Sequence, residues 1–208
     1  MPKTAGLKCL DETHRVYEAR SDTAIVDEAQ CCCLAGLSLL NTVSFLEVFG
    51  VSRARTIVHN WVHKATLRPE SGRSSDHVAV DETVIRIDDE QYWLYAAVDT
   101  DSNELLHAKL ETTRTNALAE VFVGELREKH AVDDTVFLVD GATPLKEACR
   151  RYGLDFRYER HGNRNSVERV VREVKRRTDS FSNCFSHADP ATADDWLRSF
   201  AFAWNQLI

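Results

Sequence analysis

Proline is scarce in this chain, at 4 of 208 residues, and glycine numbers only 8. So few of both exclude a collagen-like repeat and a Pro/Gly-rich disordered tract. Long apolar runs are missing too. The longest, residues 31–40, is about half the roughly 20 residues a helix needs to cross a bilayer. Nor does a basic, apolar leader open the sequence, since Asp11, Glu12 and Glu18 come early. The expectation is a soluble, cytoplasmic protein with no membrane partner. No C-x-x-C pair occurs among the six cysteines: Cys31, Cys32 and Cys33 are consecutive, and Cys9, Cys149 and Cys184 stand alone. Adjacent cysteines do not easily turn toward one tetrahedral ion, so small buried thiols in a reducing compartment are expected. Lysine is the last shortage, with seven among 26 cationic residues. An acidic, Arg-dominated surface is what a salt-rich cytoplasm favours.

What is present is 43% apolar and 28% charged, a composition for one catalytic-sized domain with a small accessory one. The net charge of −7 hides an asymmetry. Between Gly141 and Thr178 eleven cations face five anions, a balance of +6, which leaves −13 on the rest. One basic band on an acidic body is the footprint of a polyanion-binding surface, because only the field near the contact matters.

Residues 1–33 read as an irregular, polar N-terminal segment. Asn41-Thr42 offers a helix N-cap ahead of Val43, Phe45, Leu46 and Phe49 at helical spacing. Gly50 breaks that helix and Ser52 can cap a second. Its apolar stripe would be Ala54, Ile57, Val58, Trp61, Val62 and Ala65. Two short helices joined by a glycine-containing turn match a helix-turn-helix over 34–68. Arg53, Arg55, Thr56, His59, Asn60, His63 and Lys64 would face outward. Residues 69–76 read as a linker. From 77 to 208 the pattern predicts a second domain: strands over 78–87, 92–99 and 104–110, a helix over 115–130, and a buried strand over 135–139. Helix, strand and helix follow near 144–152, 154–160 and 165–178. This is an α/β mixed sheet flanked by helices, in the element order of the ribonuclease H fold.

Two acids stand in apolar strands, Asp81 in Val78-Ala-Val-Asp81 and Asp140 in Phe137-Leu-Val-Asp140. In that fold the first and fourth strands are neighbours, so both carboxylates can meet at one edge. Converging carboxylates repel unless a cation lies between them, and a divalent metal satisfies both. Glu168 is the third acid. On a helical wheel it lies beside the Val167, Val170, Val171 and Val174 stripe, with Lys175 and Arg172 on the same flank. Three other acids compete. Glu82 should point to the opposite face of its strand from Asp81, Asp99 suits a strand end, and Glu173 lies round the wheel.

These residues are also familiar as a set. Val80-Asp81-Glu82-Thr83, Trp93-Leu-Tyr-Ala-Ala-Val-Asp99, Val139-Asp140-Gly141 and Asn165-Ser-Val-Glu168 with Lys175 resemble DDE transposases. Insertion-sequence family six, in its haloarchaeal branch, is the particular likeness. Ala35-Gly-Leu-Ser-Leu, Val58-His-Asn-Trp61, Arg160-His-Gly-Asn-Arg-Asn165, Phe181-Ser-Asn-Cys-Phe-Ser-His187 and the ending Trp196-Leu…Trp204-Asn205 are similar as well. The resemblance spans roughly 34–208. Twenty-seven residues separate the second and third acids, fewer than in much of the wider family, which implies a shorter connection.

The resemblance implies an enzyme that cuts at the ends of its element and joins the freed 3′ ends to target DNA. Asp81, Asp140 and Glu168 would hold two Mg²⁺ or Mn²⁺ ions, with Lys175 as a fourth catalytic residue. Arg164, Asn165 and Arg172 would hold phosphates, and Arg53, Arg55, His59, Asn60 and Lys64 would read terminal-repeat duplex. The partners implied are double-stranded DNA and further copies of the chain in a synaptic complex. Two other readings share the residues: a structure-specific nuclease of the same fold, and a DNA-binding regulator with a degenerate catalytic body.

Overall fold

The computed structural model describes residues 22–87, 90–159, 162–180 and 190–208, which divide into two compact units after Ala65. The first unit is helical. It contains α1 (Asp22–Leu34), α2 (Leu39–Val48) and α3 (Arg55–His63). Helix α1 corrects the irregular reading of 1–33 for its described part. Its buried residues Ile25, Ala29 and Cys33 recur every fourth position, a stripe disguised by small Ala and Cys side chains. The helix also explains the cysteine triplet, because consecutive helical residues diverge by about 100°. Cys33 is buried while Cys31 and Cys32 are half-buried, and all three are free. Cys149 is buried and free in the second unit, whereas Cys9 and Cys184 lie outside the described residues.

The cap of α2 is Ser38, whose hydroxyl accepts from the Asn41 amide at 3.1 Å, rather than Asn41 or Thr42. Helix α3 starts after Ala54 with no side-chain cap, so Ser52 does not serve there. Its buried stripe is Val58 and Val62, continued by Ala65, while Ala54 and Ile57 are exposed. Arg55, Thr56, His59, Asn60 and Lys64 are exposed as expected, with Arg53 and His63 half-buried. Gln30 Nε2 donates to Trp61 O at 2.7 Å, tying α1 to α3.

The second unit begins at Thr66, and residues 69–76 are no free linker. Gly72 N donates to Lys129 O at 2.7 Å, Ala131 N to Arg73 O at 2.8 Å, and Ser75 Oγ to Asp99 Oδ2 at 2.7 Å. Strands β1 (His77–Ile87), β2 (Glu90–Asp99) and β3 (Leu105–Glu111) form an antiparallel meander. Helix α4 (Asn116–Lys129) leads to β4 (Val136–Val139), and α5 (Thr143–Tyr152) to β5 (Phe156–Tyr158). A 3₁₀ turn (Gly162–Arg164) precedes α6 (Asn165–Ser180), and α7 (Pro190–Asn205) closes the chain. The sheet order is β3-β2-β1-β4-β5, with β4 and β5 parallel to β1. This mixed sheet flanked by helices has ribonuclease H-like topology. Among the described residues no helix is long and apolar enough to cross a membrane.

Both sheet faces are covered, so β4 reads as a continuous apolar run and Phe137, Leu138 and Val139 are fully buried. On one face Val78, Val80, Tyr95 and Ala97 pack on Phe122, Leu126, Leu145 and Ala148 of α4 and α5. On the other, Leu94, Ala96 and Ala108 meet Val170, Val174, Leu197 and Phe200 of α6 and α7. Helix α7 adds Asn205, whose side chain accepts from Leu105 N at 2.8 Å and donates to Leu105 O at 3.1 Å.

The first face also buries a histidine. The His107 ring stacks 5.1 Å from Phe122. Lys129 Nζ donates to its Nδ1 at 3.1 Å, which leaves Nε2–H to donate to Glu125 Oε2 at 3.0 Å. Burial, helped by Lys129, pushes its pKa down from 6.5 to about 4. Between those values the unfolded chain takes up a proton that the folded chain refuses, so stability falls as pH falls through that window. Urea unfolding at pH 7 and pH 5 should show a loss of about 2 kcal/mol from this group. His107→Gln should flatten that difference.

Candidate active site

Parallel pairing sets the site. His77, Val78 and Ala79 of β1 lie opposite Val136, Phe137 and Leu138 of β4. Two residues further along each strand this register brings Asp81 level with Asp140. Asp140 follows the last residue of β4, and its Oδ1 accepts from Ala142 N at 2.6 Å. That bond turns the chain into α5 and fixes the carboxylate. Glu168 comes from the first turn of α6. Val167, Val170, Val171 and Val174 are buried and seat that helix on β1 and β2.

The three acids converge on one side chain. Arg164 Nη2 is 2.6 Å from Asp81 Oδ1 and 3.7 Å from Asp140 Oδ2, and Nη1 is 3.4 Å from Glu168 Oε1. The Arg164 side chain is only 8% exposed, against 45% for Glu168. Arg164 therefore points inward at the acids, where the sequence had suggested an outward phosphate contact. Burial raises the Asp81 pKa, Arg164 opposes the shift, and neighbouring Asp140 adds to it.

Glu82 corrects a second expectation. Strand alternation does send it to the opposite face from Asp81, beside its register partner Tyr95. Yet the carboxylates of Asp81, Glu82 and Asp140 all lie within 4.8 Å of one another. Pairing with β4 ends at Ala79, so the longer glutamate reaches round the open edge of β1. Its side chain is 3% exposed, and Arg114 Nη2 stands 2.5 Å from Oε1. Arg114 holds that oxygen as an ion pair, and neither buried Glu82 oxygen accepts a well-directed hydrogen bond. Burial pushes the Glu82 carboxyl up to about 7, against the pull of Arg114.

The donor set fits a hard divalent cation. It is all oxygen, includes two buried oxygens without a well-directed hydrogen bond, and sets four carboxyl groups against two guanidinium groups. Asp81, Glu82 and Asp140 are the tight group, and Glu168 reaches it through Arg164. Sequence alternation argued against Glu82. The only signal in its favour was its place beside Asp81.

Other residues sort by their partners. Lys175 is half-buried two turns along α6 from Glu168, while Asn165, Arg169 and Arg172 are exposed. Arg169 Nη1 donates to Asn103 Oδ1 at 3.2 Å. Arg176 and Arg177 both pair with Glu173, and Arg177 is buried over the Phe200 ring. Arg150, Arg151 and Arg157 pair with Glu147, Glu120 and Glu159. Much of the basic band is thus balanced locally. Arg160 and His161 lie outside the described residues.

Asp99 has a structural task. Its carboxylate accepts from Ser75 Oγ at 2.7 Å, Asp101 N at 2.8 Å and Ser102 N at 3.3 Å. Asp99→Ala strands the buried Ser75 hydroxyl and should cost about 2 kcal/mol. Thermal melting of the variant beside wild type should show the loss.

Comparison with known proteins places the chain in a family. A family model described as a DDE domain, that of IS240-type transposases, matches residues 75–184, from the approach to β1 through α6. The chain belongs to this DDE transposase family. All four clustered carboxyl residues, and Arg164 and Lys175, fall inside the matched DDE domain. An uncharacterised protein of Methanocaldococcus jannaschii is 28% identical over 172 residues, covering 82% of this chain and 80% of its own. Among solved structures, the BIV integrase catalytic core has a TM-score of 0.46 at 16% identity, covering 61% of this chain and 82% of its own. The HTLV-2 integrase catalytic core, solved in complex with magnesium, has a TM-score of 0.46 at 17% identity, with 69% and 91% covered.

Proposed function

We propose that this DDE-family protein is a transposase that binds the terminal inverted repeats of an insertion sequence, cuts the strands there and joins them to target DNA. The observation that carries the reading is the convergence of Asp81, Asp140 and Glu168, from three separate elements, on a single buried guanidinium. Asp81 and Asp140, with Glu168 and the neighbouring Glu82, would hold Mg²⁺ or Mn²⁺. A cation pair there supplies Lewis-acid charge for in-line displacement at phosphorus. The chain's own groups do the positioning. Asp140 is held by the Ala142 amide and Asp81 by its place in the paired strand β1, which fixes both carboxylates before a DNA strand arrives. Exposed Asn165 and Arg172, at and after the start of α6, offer donors and charge to the DNA backbone. Lys175, on the flank of Glu168, approaches the strand near the cut.

In the helical unit Arg55, His59 and Asn60 are exposed on α3 and Lys64 at its C-cap, which supports its use as the second helix of a helix-turn-helix. Side chains of that kind read base edges in the major groove. Strand joining at two element ends calls for more than one copy of the chain. The work is cytoplasmic, and the acidic, Lys-poor composition supports a haloarchaeal setting.

The experiment is cleavage of a duplex ending in the element's terminal repeat, with Mg²⁺ or Mn²⁺, followed by capture of the 3′ ends in a plasmid. The full chain should nick at the repeat boundary and join, and Glu168→Gln should do neither while still shifting the duplex in a gel. Cleavage without preference for the repeat would make the protein a nuclease. Repeat binding with no cleavage under either metal would make it a regulator.

A further inference from the structure

We infer that Arg164 is a built-in stand-in for the divalent cation. It holds the acid cluster together when no cation is bound, and it must leave those oxygens for a cation to enter. This rests on the reading of Asp81, Asp140 and Glu168 as cation ligands.

Three observations lead there. The two terminal nitrogens of one guanidinium meet carboxylates from β1, from the end of β4 and from α6. Three acids this close would repel one another with nothing positive among them, so the folded site without a cation needs Arg164. The second observation is competition for the same atoms. Asp81 Oδ1 is engaged at 2.6 Å by a charge-assisted contact. A divalent ion on that oxygen would stand within a few ångströms of the guanidinium, and those two side chains are only 8% and 15% exposed.

The third observation concerns what holds Arg164 inward. Its Nε is buried with no hydrogen-bond partner, so the inward position leaves a donor unsatisfied. The inward state is therefore held mainly by charge, which an incoming cation supplies instead. The residue ends a single 3₁₀ turn, Gly162–Arg164, that opens at Gly162 with φ +89°. Directly after it α6 begins with exposed Asn165, so a displaced guanidinium swings toward the surface assigned above to DNA phosphate. Arg164 is thus a positioning residue. It keeps the acids in register without metal and lowers the affinity of the DNA-free protein for metal, a linkage between two cations for one cluster.

The test is Mn²⁺ binding to the full chain without DNA, by titration calorimetry and by paramagnetic resonance of free Mn²⁺. Wild type, Arg164→Gln, Arg164→Lys and Asp140→Asn are compared, each with a melting curve with and without Mn²⁺. Arg164→Gln should bind Mn²⁺ at least about tenfold more tightly than wild type, and Mn²⁺ should raise its melting point more. A purely structural role predicts weaker binding or none. Should Arg164→Gln not fold without metal, Arg164→Lys decides, because a lysine keeps the charge but loses the fork. It should bind Mn²⁺ severalfold more tightly than wild type. Equal or weaker binding by the folded Arg164 variants, with Asp140→Asn still impaired, overturns the inference and leaves the cation site standing. Unchanged binding in Asp140→Asn removes the cation-site reading, and this inference with it.

Discussion

Asp140→Asn and Asp81→Asn should each lower metal-dependent cleavage of an element-end duplex by on the order of a thousandfold or more. Either change removes a ligand charge and keeps the side-chain shape. A cation's stabilisation of transition-state charge is worth several kcal/mol, and each 1.36 kcal/mol is tenfold in rate. Folding should survive. Asn at 140 can still accept from Ala142 N through its amide oxygen, the contact now made at 2.6 Å. Asn at 81 loses charge pairing with Arg164 but also eases the repulsion of Asp81 with Asp140 and with Glu82. Single-turnover cleavage at saturating DNA is the measurement, beside melting curves and gel shifts. Near wild-type cleavage by either variant would remove that residue from the site.

Phe122→Ala should be among the most damaging single changes to the second unit. The ring is fully buried, 5.5 Å from Tyr95 and 5.1 Å from His107, in the core under β1 and β2. Truncation to Ala in such a setting costs about 3–5 kcal/mol, from lost burial and the cavity left behind. In a unit of this size the thermal midpoint should fall by roughly 10 °C or more. The neighbouring Val121 is 45% exposed, and Val121→Ala should stay within about 0.5 kcal/mol. A melting curve on each variant checks both. Equal losses would mean that α4 is rotated on the sheet, and Glu125 would then no longer face His107.

The chain's local patterns were enough for much of the catalytic fold. Alternation and β-branched runs gave the β1–β3 meander, the unbroken apolar Phe137-Leu-Val gave a two-face-buried β4, and the valine stripe gave α6 its inward face. These features follow from spacing along one element, where periods of 2 and 3.6 dictate which side chains share a face. The acids Asp81, Asp140 and Glu168 were legible for the same reason, as charges placed in or beside apolar stripes.

What sequence spacing missed depends on contacts between distant segments. Helix α1 was hidden because Ala29 and Cys33 are too small to mark a stripe, and the helix packs on the other two helices of its unit. Residues 69–76 look polar and unattached, yet the Lys129–Ala131 backbone and Asp99 give them partners. Arginine count suggested a broad basic band, but five of those side chains pair with nearby glutamates and Arg164 turns inward. Glu82 joins Asp81 and Asp140 only because β4 stops short and leaves an open edge. A sequence determines which faces are apolar and which residues can carry charge. Which charges meet is decided by strand register and by where neighbouring elements end, since Coulomb energy depends on separation through space and not along the chain.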